Sequence, residues 1–492
     1  MQSLIHPEAS RASSRTATII ALAAGSAFSS IASAATINVP GDAPNIAAAI
    51  GLANDGDEIV VADGNWAAPL SINGIDLLLR SASGDPAACT IGSAAGTALV
   101  ITGASADVVV RDIGFQQVGR LIEANGVDRL ILEGCHFSGT QLAAVVFGGN
   151  VLRADDCRFE GNSFPTGPGA AILALGGNVR ITRSSFINNE VDGALGDGGA
   201  LAMMAGDLVV VDSVFTGNVA ASTVDGDGGA IYVGPAVASA RIASTLLADN
   251  DAGRRGGGLS AEIDNVELSN VVIRNNSADA GGGVYFQAPL ESCGTTRIAG
   301  AVIDLNESNS GGGAIRLGSG ANLEMVNATV VFNVAGTGGG GLHVTSDAEL
   351  DLANSIVGSN IGDEIGGTGT AAVQHSNVQG GWPGPGNIGG LPQFVNAASL
   401  DYRLAADSPC IDAGSSAVAL APSTDIIGRV RSVDDPATVD TGIASLLRVI
   451  DMGAFEFQPV DVEPVCPTDV DGSGETDFGD LLSVLSAWGA CS

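Results

Sequence analysis

The chain contains no lysine. All twenty of its basic residues are arginine, set against 54 acidic residues for a formal net charge of -34. Without lysine, Schiff-base chemistry and a lysine general base are both excluded. The acidic excess excludes a nucleic-acid partner, because binding a polyanion rests on a positive footprint. Aromatic residues make up only 4% of the chain, too few for a groove lined with stacked Trp and Tyr. Seven cysteines in 492 residues are far too sparse for a disulfide scaffold, so stability must come from packing. Charged residues are 15%, below the usual ~25%. Beyond the first 34 residues no stretch reaches the ~20 apolar residues of a membrane span. What is abundant is glycine, 70 residues, and hydrophobic residues at 45%, enough to build a core and to exclude disorder.

The N-terminus reads as an export signal. Arg11 and Arg15 precede a short apolar run from Thr18 to Ala24, and Ala32-Ser33-Ala34 fits a small-residue cleavage site. Residues 1–34 are therefore expected to be a signal peptide, and the mature protein to be secreted, extracellular or at the cell surface, with no transmembrane segment. Its cysteines are Cys89, Cys135, Cys157, Cys293, Cys410, Cys466 and Cys491, an odd number that leaves at least one thiol free or paired between molecules.

The middle of the chain repeats. An apolar residue, two variable residues and an asparagine recur at Phe159–Asn162, Phe186–Asn189, Phe215–Asn218, Leu247–Asn250, Ile273–Asn276, Ile303–Asn306, Val330–Asn333 and Val357–Asn360. The asparagines are spaced by 27, 29, 32, 26, 30, 27 and 27 residues, and Phe115 and Phe137 extend the series upstream. About ten residues after each Asn comes a glycine pair with an apolar residue, as in Gly198-Gly199-Ala200-Leu201 and Gly228-Gly229-Ala230-Ile231; Gly257-Gly258, Gly282-Gly283, Gly312-Gly313 and Gly340-Gly341 continue it. Between these marks lie β-branched runs of four to six residues, of strand length. A unit of this size cannot bury its own apolar face, but stacked units can, which predicts a parallel β-helix. About 13 rungs are expected over residues 36–390, with the asparagines in a ladder along one bend, tolerating left-handed backbone and bonding from rung to rung. Cys135 and Cys157 hold equivalent places before Phe137 and Phe159, as Ser213 does before Phe215, so they are expected to be stacked, unbridged interior thiols.

Pro44 to Ala53 forms an apolar helix candidate, followed by the strand candidate Gly56–Val61. This end resembles the helical cap and first strand of the pectin-lyase-like right-handed β-helix family, and the cap would shield an aggregating edge. The Phe-x-x-Asn and Gly-Gly-Ala-Ile marks are similar to the repeats of bacterial polymorphic outer-membrane and adhesin β-helices. His375–Trp382, Gly386–Ile388, Leu391–Phe394, Asp401–Leu404, Ser408–Gly414, Asp425–Arg429 and Asp451–Glu456 resemble the final rungs of secreted bacterial β-helix proteins that carry varied C-terminal anchors. The resemblance covers residues 36–457 and implies the fold: an all-β right-handed parallel β-helix over 35–457 with a helical N-terminal cap and a C-terminal capping block. One fold hosts many functions, so it implies little about activity.

Residues 458–465 form a Pro-punctuated acidic linker. After it, counting from Asp469, oxygen-bearing side chains fall at positions 1, 3, 5, 9 and 12 (Asp469, Asp471, Ser473, Asp477, Asp480), with Gly474 at position 6 and Glu475 placed to offer its carbonyl at position 7. This is the spacing of a calcium loop, and Leu481–Trp488 is a helix candidate behind it. The expected cofactor is Ca2+. Residues 466–492 resemble a single-loop dockerin-like anchor of planctomycete-type secreted proteins. That module takes Asp at position 12, where the usual EF-hand has Glu. The same resemblance implies a Cys466–Cys491 disulfide. Ordinary dockerins carry two loops, so the anchor's receptor stays unassigned.

Catalytic signals are thinner. Pectin-lyase-like enzymes that use a lysine base are excluded outright. Arg254-Arg255 is the paired-arginine candidate for a lyase. Hydrolases of the fold add Gly-His-Gly and Arg-x-Lys motifs to clustered Asp residues; Asp155-Asp156 is present, but those motifs are not, and the pair reads as a turn. Asp197 and Asp227, each before a Gly-Gly pair, read as a solvated edge stacked on neighbouring rungs, where two carboxylates would repel or trap calcium. His136, His343 and His375 have no metal spacing and no triad partner. Two readings remain open: a non-catalytic surface protein for adhesion, display or glycan binding, and an extracellular polysaccharide lyase or hydrolase.

Overall fold

The computed structural model describes residues 34–92, 96–116, 119–289, 294–444, 449–459 and Gly479. Residues 1–33 of the expected signal peptide, Cys293, the six expected calcium ligands from Asp469 to Asp480 and the Cys466–Cys491 pair lie outside the described residues.

The short β-branched runs become strands that pair in parallel with the equivalent run of the next repeat. Three faces result, called A, B and C in chain order, with a short arm between B and C. Face A is the longest. It begins at Thr36–Val39, Asp57–Val61 and Leu77–Ser81 and ends at Thr370–Gln374, fourteen strands in one stack. At ~4.8 Å per step the rod is about 60 Å long. Alternation is strict where a face meets the core: in Asn178–Thr182 only Val179 and Ile181 point inward. Helix α1, Ile46–Leu52, covers the N-terminal end, capped by Asn45 accepting from the Ala48 N–H and burying Ile46 and Ala49. At the other end Trp382 packs on the core, and the Asn387 side chain bonds to the last rung through Ser376 N and Val373 O. Among the described residues no helix is long and apolar enough to cross a membrane.

Inside face B, Phe115, Phe137, Phe159, Phe186 and Phe215 form one stack with centroids 4.3–5.2 Å apart. Cys135 and Cys157 are free, buried thiols in a row of small residues that continues as Ser184 and Ser213. The serines have a task there: Cys157 N donates to Ser184 Oγ, and Ser184 N to Ser213 Oγ.

The asparagine ladder runs unbroken from Asn162 to Asn360. Each Nδ2 donates to Oδ1 of the next asparagine at 2.9 Å. Its second hydrogen goes to a carbonyl of an earlier rung, for example Asn250 to Phe215 O at 3.1 Å. At the C-terminal end of the ladder, where the amide hydrogens point outward, Asn360 Nδ2 meets the carboxylate of Glu364 at 2.6 Å. The left-handed backbone, however, is not at the asparagine. It falls one residue earlier, at Gly161, Asn188, Gly217, Asp249, Asn275, Leu305, Phe332 and Ser359, all with φ of 52–66°. The asparagine is selected for its amide and its predecessor for the turn.

The glycine pair also sits differently in three repeats. By rung register the two positions are Gly256-Gly257, Gly281-Gly282 and Gly339-Gly340, one residue before the expected pairs, because a third glycine takes the place of Ala200 and Ala230 in those rungs; the positive φ is kept at Gly256 and Gly281 but falls at Gly338 in the last. The two positions need glycine for separate reasons. Gly228 has φ +70°, whereas a Cβ on Gly229 would lie 2.2 Å from Gly257 O of the next rung.

The largest departure concerns residues 394–457. They do not form final rungs but fold back along the outside of face B. The outward residues Leu246, Val272, Val302, Val331 and Ile356 pack there against Tyr402, Leu404, Ile411, Ile426 and Met452. Polar ties fix the register: Tyr402 Oη donates to Asp304 at 2.7 Å, Ser415 N to Asn354 Oδ1 at 2.7 Å, and Ala454 N to Thr329 Oγ1 at 3.0 Å. This side block gives the face a second apolar layer that repeat-counting cannot foresee.

Candidate functional site

In the six rungs from Leu201 to Val344 each face C segment starts just after a glycine pair, and its second residue points outward. Rung pairing lines these up as Ala202, Tyr232, Ser260, Tyr285, Arg316 and His343. Tyr232, Ser260 and Tyr285 are buried, and Arg316 and His343 half-buried. One edge of this strip is made by the bends carrying Asp197, Asp225, Asp227, Arg254 and Arg255; the other carries Glu262 and Gln287.

The groups are tightly coupled. Arg254 grips fully buried Asp227 with two bonds, Nε to Oδ1 at 2.6 Å and Nη2 to Oδ2. The Arg255 guanidinium lies 4.7 Å from the Tyr285 ring centroid and donates to Gln287 Oε1 at 3.4 Å. Tyr285 Oη also donates to Gln287 Oε1, and Tyr232 Oη to Glu262 Oε2, each at 3.2 Å. His343 Nδ1 accepts from Gly339 N at 3.3 Å, leaving Nε2 as the protonated nitrogen.

Electrostatics follow from burial. The Asp197 carboxyl is pushed up to about 7, first by burial and then by the neighbouring Asp227 charge, against the Asp227 N–H that bonds to it. Burial raises both tyrosine phenols, so they remain donors. Arg254 is held still more firmly as a cation by its bonds to Asp227. His343 is lowered by burial and by Arg316, and stays neutral at neutral pH.

The arrangement limits the chemistry that Arg254 and Asp227 can do. A β-elimination needs a basic group that can lose its proton, and Arg254 is driven the opposite way. A two-carboxylate hydrolysis needs both acids accessible, and Asp227 has both oxygens held by Arg254. Asp227 is therefore not the solvated edge expected from its sequence position; it is a buried anchor for the arginine pair. Asp156 does sit in a turn, with φ 54°, and Asp155 pairs with Arg183 and Thr182. Tyr232, Tyr285 and Arg316 escaped the sequence reading because each belongs to a different rung. The available signal was the residue two after each Gly-Gly-Ala or Gly-Gly-Gly mark.

A second concavity of about 770 Å3 lies between the last rungs and the side block, lined by Arg297, Glu324, Asp351, Gln374, Val418 and Ile443 among others. Arg297 and Glu324, register neighbours on face A, are paired along its wall at 2.9 Å.

Comparison with known proteins finds the Chlamydia polymorphic membrane protein repeat over residues 212–234. That span is part of one repeat, from the left-handed Asp212 through Phe215 and Asn218 to Gly228-Gly229 and Tyr232. Among solved structures, the crystal structure of pectate lyase Pel9A is similar at 13% identity over 87% of this chain and 98% of that chain, with a TM-score of 0.32. A likeness of that size assigns no activity here. No curated protein matches the chain.

Proposed function

We propose that this chain is a secreted, surface-displayed β-helix that binds an extracellular polysaccharide on face C without cleaving it. It would be held in place through residues 466–492, with one Ca2+ in the loop of Asp469, Asp471, Ser473, Glu475, Asp477 and Asp480 and a Cys466–Cys491 bridge. The observation that carries the binding reading is the Tyr232–Ser260–Tyr285–Arg316–His343 strip with Arg255 against Tyr285. Arginine forks and protonated phenols recognise hydroxyl and carboxylate oxygens, and their repetition along the rod suits a polymer. The matched repeat, named for a polymorphic membrane protein, is compatible with surface display. The competing reading is a polysaccharide lyase or hydrolase. Affinity electrophoresis in gels containing acidic polysaccharides, run beside an assay for released product, separates the two. Binding predicts retardation that Arg255→Ala weakens at least tenfold, with no product. Steady accumulation of unsaturated or reducing ends, abolished by the same substitution, would overturn it.

A further inference from the structure

The side block buries five carboxylates: Asp412, Asp425, Asp435, Asp451 and Glu456. Four of them are fully engaged. Asp425 accepts from Ile427 N, Arg429 N and Glu456 N. Asp451 accepts from Asp412 N and Phe457 N. Glu456 accepts from Ser432 N, Val433 N and Asp451 N and faces Arg431. Asp435 accepts from Ala437 N and Thr438 Oγ1. Asp412 is the exception. Its Oδ2 accepts from Asp435 N at 3.2 Å, but its Oδ1 is buried with no partner. A buried, unpaired carboxylate oxygen is costly unless something outside the chain pairs it.

That something has an evident place. One oxygen each of Asp412, Asp434 and Asp440 lies within 4.8 Å of the others. Asp434 and Asp440 are exposed and Asp412 is buried, so the cluster opens to solvent on one side and closes on the other against the carboxyl that carries the orphan oxygen. The loop bearing them is pinned at both ends to Asp412: by Asp435 N on its Oδ2, and by Thr441 N and Gly442 N on its carbonyl, both at 3.0 Å. The buried cation of the block, Arg431, is committed to Glu456 and to the carbonyls of Gly453 and Ala454.

We infer that Asp412, Asp434 and Asp440 form a divalent-cation site, suited to Ca2+. Three hard carboxylate ligands from a pinned loop, completed by water, match the flexible oxygen coordination of calcium. The ion would fasten the 434–442 loop, and with it Ile443, which bonds to Gly414 O and lines the wall of the second concavity. This site is separate from the loop at 469–480 and does not rest on it.

The experiment counts Ca2+ bound to the full chain by isothermal titration, with Asp469→Ala used to silence the C-terminal loop. The Asp469→Ala chain is expected to bind one ion. Adding Asp434→Asn and Asp440→Asn, both exposed and replaced by near-isosteres, is expected to abolish that binding while leaving the β-sheet circular dichroism unchanged. An Asp469→Ala chain that binds no calcium, or one that still binds an ion after both asparagine substitutions, overturns the inference.

Discussion

Along the bend from Asn162 to Asn360, every rung presents the same amide to the same amide of the next, at 2.9 Å. The side block, by contrast, buries five carboxylates against backbone N–H groups and Arg431, the one buried arginine among the described residues. Both regions must satisfy polar groups away from water. The rod does so by translation: a neutral donor–acceptor residue repeated at the rung spacing supplies its own partner. The block has no repeat to exploit, so each acid finds a different partner, from residues close in sequence to ones 39 apart, as in Asp412 N to Asp451. The ladder is therefore expected to be insensitive to pH and to lose stability locally when one link is cut. The block is expected to respond to charge.

The strongest break in that contrast is Arg431→Met. It leaves Glu456 buried beside Asp451 without its cation, which costs about 3–5 kcal/mol. The loss is expected in the block alone, as an early transition in thermal or denaturant unfolding, while the rod's transition stays in place. Glu456→Gln added to it should recover much of the loss, because the buried charge goes with it.

Next comes Asn250→Leu. It strands the Asn218 backbone N–H and one hydrogen of its side-chain amide, which both point at Asn250 Oδ1, and removes the second bond on Phe215 O. Orphaned buried groups cost about 1–3 kcal/mol each, so a loss of at least ~3 kcal/mol in the rod's transition is expected, measured by chemical denaturation. A loss below ~1 kcal/mol would mean that the ladder decorates the fold and does not hold it.

A smaller effect of opposite sign is expected at Leu305. It occupies the left-handed position before Asn306 with φ 58° and is 38% exposed. Leu305→Gly or Leu305→Asn should stabilise the rod by roughly 0.5–1 kcal/mol, seen as a higher melting temperature.

The same contrast explains what could be read from sequence. Phe159, Phe186 and Phe215 and their asparagines declare the rod because translation repeats a residue at a fixed place in each rung. Cys135, Cys157 and Ser213 declared the small interior row in the same way. The position of the left-handed residue was misread because its identity varies, from Gly161 to Leu305, while only the conformation repeats. The side block was misread as rungs because its strand-like pieces are short, and its place depends on contacts such as Tyr402 to Asp304, which no local pattern marks. Of the candidate site, Arg254, Arg255 and Asp227 were visible as residues but not as a buried pair. Tyr232, Tyr285 and Arg316 became a strip only once rung register set them side by side.

The direct test of two differently held regions is hydrogen exchange followed by mass spectrometry in chelator, at pH 5 and pH 8, corrected for intrinsic rates. Burial holds the Glu456 carboxyl up to about 7, against the usual 4.5, with Arg431 opposing. The folded block therefore keeps a proton that the unfolded chain gives up. The stability this confers is full below about 4.5 and is lost as pH rises towards 7. The asparagine ladder has no titrating group. Peptides from residues 401–457 are expected to lose protection at pH 8, and peptides spanning the ladder residues Asn162 to Asn189, which carry no raised carboxylate, to keep it. Equal loss in both, or a block better protected at pH 8, would contradict the account.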